Sequence, residues 1–324
     1  MVVSRRQLMA SLLLAAGATT AAPQTGKLQA EARADCDCWH TDGPSSNYFA
    51  NHKMFDFRHL IQYAGEPAVL EDPESNRRAG PTSDYFRNSD FASAFIPMNW
   101  DNQERLDNGE GDATLLMVNS PNNIYIQANN DGTPGTETWM TMRTVRLPDF
   151  QAAAELESAS AGYQYVSMRM RARTLGPPGA VTAMFTYYGP PGVEVQEADV
   201  EILTSDPENK VHYTNQPSYG PGGERPQATR NATMPGGALW TDWATWRTDW
   251  LPGKSTWYVN GQKNEEISFQ APKDPASLLF NVWSDGGSWS GTMAEWNEAV
   301  MQIQWIELAW GLKSQGSCSS VCNI

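Results

Sequence analysis

Residues Glu197-Ala198-Asp199-Val200-Glu201 place three carboxylates at alternating positions, with small or apolar residues between them. In a β-strand successive side chains point to opposite faces. Glu197, Asp199 and Glu201 then share one face, while Ala198, Val200 and Ile202 share the other and can enter a core. The segment therefore calls for a sheet covered on one side only. Keeping three like charges close on one face is costly, and at least one carboxyl pKa should rise.

The rest of the chain supplies strands of the same kind. Short β-like runs are separated by Gly, Pro, Asn and Asp. Candidates are Thr114–Val118, Asn123–Ala128, Trp139–Leu147, Tyr163–Ala172, Val181–Tyr188 and Gln196–Leu203. Val211–Asn215, Trp246–Leu251, Thr256–Asn260, Leu278–Trp283 and Gln302–Trp310 follow. Many short strands with turn signals between them predict an all-β sandwich or jelly roll. A helical pattern is credible only near Asp149–Glu157 and Ala294–Val300. Residues 65–112 are polar and loop-like, and so long a stretch implies functional loops or missed strands.

The N-terminus reads as a secretory signal. Arg5 and Arg6 precede the short apolar run Leu8–Ala16, and Thr19-Thr20-Ala21-Ala22 offers small residues for cleavage. The expected division is a signal peptide at 1–22, a polar lead-in or pro-segment at 23–35, and one domain at 36–324. No internal repeat or linker divides that domain, and no later run approaches ~18 apolar residues. Ser317–Ile324 carries no hydrophobic tail, so no membrane or lipid anchor is expected. The four cysteines lie only near the ends: Cys36 and Cys38, then Cys318 and Cys322. In a secreted chain they favour two disulfides, and two of the three pairings would bring the ends together. A four-thiolate zinc site is disfavoured by the oxidising compartment and the unusual spacing. Asn231-Ala232-Thr233 is a glycosylation sequon, so Asn231 is a candidate acceptor.

The formal charge is −14. The first 22 residues hold two arginines and no acid, so their removal leaves −16. Nucleic acid is excluded as a partner, since its binding footprint is basic. An uncharged polysaccharide is compatible, and the protein is expected to act as a monomer. The 13 Trp and 11 Tyr point the same way, because aromatic faces pack against pyranose rings. Most Trp are expected in the core, with Trp283 and Trp289, which bracket the Gly-rich loop Ser284–Ser288, as exceptions.

The chemistry follows from the acidic strand. Glycoside hydrolysis needs one carboxylic acid and one carboxylate. On an extended strand positions i and i+4 are ~13 Å apart at the backbone. A retaining pair needs its carboxyl groups about 5–5.5 Å apart. Two inward-leaning Glu side chains on a curved sheet close that gap. Glu197 and Glu201 are thus the candidate pair, and the shorter, central Asp199 can bias which of them holds the proton. Other chemistries find little support. There are four histidines, and neither G-x-S-x-G nor H-E-x-x-H occurs. No cofactor is required, and no metal-ligand set is legible.

From Tyr187 through Ser218, and again from Trp243 through Gly291, the chain resembles glycoside hydrolase family 16. The matches are Gln196–Leu203 for the unbulged E-x-D-x-E strand, Val211-His212-Tyr213-Thr214-Asn215 for the next strand, Trp257-Tyr258-Val259-Asn260-Gly261, and Asn281-Val282-Trp283 with Trp289-Ser290-Gly291. The resemblance implies a jelly roll of the concanavalin A-like lectin and glucanase type with a concave cleft. It implies Glu197 as nucleophile, Glu201 as general acid then base, Asp199 as their assistant, and Asn215, Trp283 and Trp289 as subsite residues. Two departures stand out. Ala198 replaces a large aliphatic residue, and Trp243-Ala244-Thr245-Trp246 replaces an F-H-x-Y lead-in, leaving a cleft role for that His absent or taken by a Trp. His212 is the nearest substitute, although a strand histidine is more often structural. The implied activity is a secreted, endo-acting, retaining β-glucan hydrolase. A transglycosylase would use the same residues, and a non-catalytic glucan-binding protein would have lost one of the three acids.

Overall fold

The computed structural model describes residues 36–324; the expected signal peptide and lead-in lie outside the described residues. Seven strands build the layer that carries the acids: β1 (Phe95–Pro97), β2 (Gln151–Ser158), β3 (Val181–Tyr188), β4 (Gln196–Leu203), β5 (Lys210–Gln216), β6 (Thr229–Thr233) and β7 (Ser277–Trp283). Their spatial order is β1-β2-β7-β3-β4-β5-β6, antiparallel throughout. The acidic strand β4 is therefore interior, with two partners that fix its register.

The second layer runs through Gln262–Ile267, Lys254–Val259, Ala244–Leu251 and Val166–Leu175 to the long strand Glu298–Lys313. Along the far edge of that strand, Thr138–Arg146 pairs with its first half and Tyr48–Asp56 with its second. The two layers share one core. Ala198, Val200 and Ile202 from β4 pack in the same cluster as Met168, Met170, Trp246, Trp250 and Trp257 from the opposite layer. Tyr213 of β5 stacks on Trp257 at 5.1 Å between ring centroids, a direct contact across the layers. This is the expected all-β jelly-roll sandwich, with one face of the β1–β7 sheet left free.

Three local expectations fail: short helices form at Pro73–Arg78, Tyr85–Asn88, Asp90–Ala94 and Gln103–Asn108, within the stretch read as loop-like, and neither expected helix forms. Asp149–Glu157 was expected to be helical, yet Gln151–Ser158 is strand β2. Its alanines favour a helix intrinsically. However, the strand is buried along nearly its whole length and paired on both edges, by β7 on one side and by β1 and Met117–Asn119 on the other. Tertiary pairing outweighs a propensity of a few tenths of a kcal/mol per residue. Ala294–Val300 is also not helical. Trp296 has a φ of 65°, outside the helical region, and the strand begins at Glu298.

The cysteine pairing is resolved as Cys36–Cys322 and Cys38–Cys318. Beside them Cys38–His40 and Val321–Asn323 pair as parallel strands. The zinc alternative is thereby excluded, since each sulfur is already bonded. Among the described residues no helix is long and apolar enough to cross a membrane.

Candidate active site

The register of β4 aligns its acids with rows across the sheet. Glu197 lies opposite Tyr187 and Gln216, Asp199 opposite Phe185 and Thr214, and Glu201 opposite Ala183 and His212. Side chains in one row project to one face. The free face is thus an acidic stripe flanked by aromatic and hydroxyl groups. Three cavities lie along it. The central one, ≈ 310 Å³, is lined by all three acids, Asn281 and Trp283. A second, ≈ 570 Å³, extends over β5 and β6 and is lined by Glu197, Glu201, Trp283 and Trp289. A third, ≈ 430 Å³, extends over β3 and β2 beneath Met98 and Trp100 and shares Glu197. Glu197 and Glu201 stand where the first two meet.

Burial sets the electrostatics. It pushes Glu197 up to about 8 and Glu201 up to about 7, and it raises Asp199 well above the ordinary carboxyl range. Desolvation is the leading cause for each, and the neighbouring negative charges add to it for Glu197 and Asp199. Interacting carboxyls share protons, so these protons belong to the trio. The hydrogen bonds indicate where one of them sits. Asp199 is 2 % exposed, and its Oδ2 accepts from Gln216 Nε2 at 3.4 Å. Its Oδ1 is buried without a donor. That oxygen is satisfied if it carries the proton and gives it to Glu197, to which Asp199 is hydrogen-bonded. Burial alone would leave Glu197 the more protonated of the two glutamates; a proton held by Asp199 toward Glu197 opposes this, making Glu197 the carboxylate and leaving the next proton to Glu201. Glu201 receives Trp289 Nε1–H on Oε1 at 3.1 Å.

The loop Ser284–Gly291 carries Trp289 and is anchored on the segment before it in the fold. Thr114 and Leu115 donate backbone N–H to Asp285 O, and Ser288 N–H donates to Asp112 Oδ2 at 2.8 Å. Gly286 makes the turn at φ 73°, close against Thr114, where a side chain would be strained. Trp283 and Trp289 both line the cleft as expected. Asn215 does not. It lies opposite Ala198 and so shares the core face of β5 with Val211 and Tyr213. It is fully buried, and its Nδ2 donates to Ile267 O and Phe269 O at 3.2 and 3.0 Å. The expected subsite role is corrected to a tie between the layers; the cleft-facing residues of β5 are His212, Thr214 and Gln216. Trp243 and Trp246 also stay out of the cleft. Trp246 is buried in the core and Trp243 covers the Arg173 guanidinium at 4.5 Å, so nothing replaces the missing lead-in His there.

Residues 98–113 form a wall that the sequence did not reveal. Trp100, Asn102, Arg105, Glu110 and Asp112 all line the central cavity. Trp100 is 39 % exposed, and its Nε1–H donates to Glu155 Oε1 at 2.7 Å. Glu155 sits on the cleft floor in the Glu201 row, through Asn281 and Ala183, and burial raises its pKa. The only sequence signal was the length of the loop-like stretch. Asn231 is exposed on β6, the last strand on that side of the sheet. Among the described residues no group of three or more His, Cys, Asp and Glu is arranged to hold a metal ion.

Comparison with known proteins agrees with this fold. The family model described as glycosyl hydrolases family 16 matches residues 114–307. A β-glucanase of Paenibacillus polymyxa is 30 % identical over 149 residues, 45 % of this chain and 58 % of that protein. One from Bacillus subtilis is 28 % identical over 147 residues, 44 % of this chain and 58 % of that protein. The chain thus spans under three-fifths of the length of these relatives. In fold it is similar to a lichenase from a mouse hindgut metagenome (TM-score 0.54, 17 % identity, 81 % of this chain and 100 % of that one). It is also similar to the Bacillus licheniformis β-glucanase (TM-score 0.54, 20 % identity, 69 % and 95 %). The family match extends over more than half of the chain and takes in the acidic strand, its partner strands and the Trp289 loop. On that ground this chain belongs to the glycosyl hydrolases of family 16.

Proposed function

We propose that the protein is an endo-acting β-glucan hydrolase that retains anomeric configuration. The observation that carries this reading is the position of Glu197 and Glu201, half-buried on one face of β4 with Asp199 between them, where two cavities of a continuing cleft meet. A cleft that continues on both sides of the acids suits attack within a chain rather than at its end. The acidic lining of the central cavity, with Arg105 its only cation, disfavours anionic glycans and suits a neutral one. The relatives' β-glucanase names support a β-glucan.

In the first step the Glu197 carboxylate attacks the anomeric carbon and forms a C–O bond. The glycosidic C–O bond breaks, its electron pair passes to the leaving oxygen, and Glu201 gives that oxygen its proton. In the second step Glu201 takes a proton from water, the resulting hydroxide displaces Glu197, and the sugar leaves with its original configuration. Asp199, holding a proton toward Glu197, keeps the nucleophile ionised between turnovers. The disulfides support secretion into an oxidising compartment. The exposed Asn231 supports glycosylation there.

The test is product analysis by mass spectrometry with β-1,3, β-1,4 and mixed-linkage glucans, with and without labelled acceptors. Shorter products are expected from the wild type, and Glu197→Gln and Glu201→Gln should each lose most turnover while staying folded. Lengthened, labelled products would make the reaction a transfer. Normal turnover in either variant would end the assignment.

A further inference from the structure

His212 is unused by the mechanism above, yet it occupies the strand position opposite Glu201. It is 8 % exposed on the cleft face of β5. Its Nε2 lies 2.6 Å from Asp206 Oδ2. A carboxylate can only accept, so the ring nitrogen carries the hydrogen and the imidazole plane is fixed. The ring then meets the Trp289 indole edge-on, with centroids 5.0 Å apart and planes at 72°. Trp289 in turn donates its N–H to Glu201 Oε1. Four side chains from β4, β5, the turn before β5 and the Ser284–Gly291 loop thus form one continuous chain of contacts.

The backbone of the Trp289 loop is held by Asp112, as described, but that anchoring leaves the indole free to turn about its side-chain torsions. The bond to Glu201 holds one edge of the ring, and the edge-on contact with His212 walls its face. An indole N–H can donate but never accept. Its bond to Glu201 therefore strengthens as Glu201 loses its proton and becomes charged. A donor aimed at the oxygen that becomes negative during bond cleavage stabilises that moment more than the ground state.

We infer that Asp206 and His212 are positioning residues that hold Trp289 so that its N–H stabilises Glu201 as it gives up its proton to the leaving oxygen. The inference rests on the assignment of Glu201 as the acid. It makes leaving-group dependence the diagnostic. A 2,4-dinitrophenyl group departs without a proton, whereas a sugar hydroxyl needs one. A defect in proton donation lowers kcat/KM for β-glucan and spares kcat/KM for a 2,4-dinitrophenyl β-oligoglucoside. A defect in folding or sugar binding lowers both.

The experiment compares wild type, Glu201→Gln, Trp289→Phe, His212→Ala and Asp206→Asn on both substrates. Glu201→Gln sets the scale. Trp289→Phe keeps a ring but removes the N–H, and it should lower kcat/KM on β-glucan on the order of 10- to 100-fold, the value of a hydrogen bond to a charged group. His212→Ala should lower it about 5- to 10-fold, and Asp206→Asn, which preserves size and packing, about 3-fold, each leaving the dinitrophenyl substrate within 2-fold. Equal losses on both substrates, or full activity in His212→Ala and Asp206→Asn, would overturn the inference. If His212→Ala does not fold, Asp206→Asn and Trp289→Phe decide it. If Glu201→Gln itself shows no leaving-group dependence, the assignment of the acid fails instead, and the two failures are thereby told apart.

Discussion

Replacing Glu201 by Gln should stabilise the protein at alkaline pH and leave it unchanged near pH 4. Burial holds the Glu201 proton up to about 7, against an ordinary value of 4.5. In the unfolded chain the group ionises near that ordinary value. Between the two, the folded state binds more protons than the unfolded state, so stability falls as pH rises through this window. Below pH 4.5 Glu201 is neutral in both states and contributes no difference. Above pH 7 it is charged in both, and the folded state bears the full cost of a buried carboxylate. A shift of about 2.5 pK units corresponds to about 3 kcal/mol. Gln cannot titrate, and its Oε1 can still accept from Trp289. It also relieves Glu197 and Asp199 of a neighbouring charge that raises both. The variant should therefore gain roughly 2–3 kcal/mol over wild type at pH 8, or a Tm higher by on the order of 5 °C. Urea unfolding with the disulfides intact, at half-unit steps from pH 4 to 8.5, reads the difference directly, because the remaining titrating groups largely cancel between the two proteins. A difference that is flat with pH, or that favours wild type as pH rises, would refute the reasoning and with it the claim that the acid is strained by burial.

Three further outcomes are expected. The pH profile of kcat/KM should be bell-shaped with its optimum on the acid side of neutrality, the alkaline limb following loss of the Glu201 proton near pH 7; an optimum above pH 8 contradicts the assigned roles. Trp100→Ala should lower kcat/KM about 2- to 10-fold on long β-glucan oligosaccharides, through loss of an aromatic face held by Glu155, and should leave short aryl glycosides unaffected. Asn215→Ala should cost about 1–3 kcal/mol in unfolding free energy, since Ile267 O and Phe269 O lose their donor, while kcat/KM per folded molecule stays the same. A large KM effect in that variant would restore Asn215 to the cleft.

Period-two alternation carried most of what the sequence revealed. It located β4 to the residue, since Gln196–Leu203 is both the expected and the observed span. The same rule places Asn215: Val211 and Tyr213 are apolar, so the odd positions of β5 face the core, against the subsite role that the family resemblance implies. Gln151–Ser158 was misread because alternation is invisible in a strand buried on both faces, where Ala-Ala-Ala reads as helix. The wall at residues 98–113 was not legible for a different reason. Trp100 depends on Glu155 and Asp112 on Ser288, partners 55 and 176 positions away, and no local pattern encodes such pairs.

The stapled ends carry a consequence for how the chain is made. Tyr48–Asp56 pairs with the second half of Glu298–Lys313, and Cys36 and Cys38 take their sulfur partners from residues 322 and 318. A ribosome delivers the first of these strands some 250 residues before its neighbour exists. Throughout that interval the nascent chain holds an unpaired edge strand and two neighbouring thiols without their proper mates. The outer sheet therefore cannot complete this pairing before Glu298–Lys313 has been made, and until then the open strand edge and the two thiols are exposed to wrong pairing and wrong sulfur exchange.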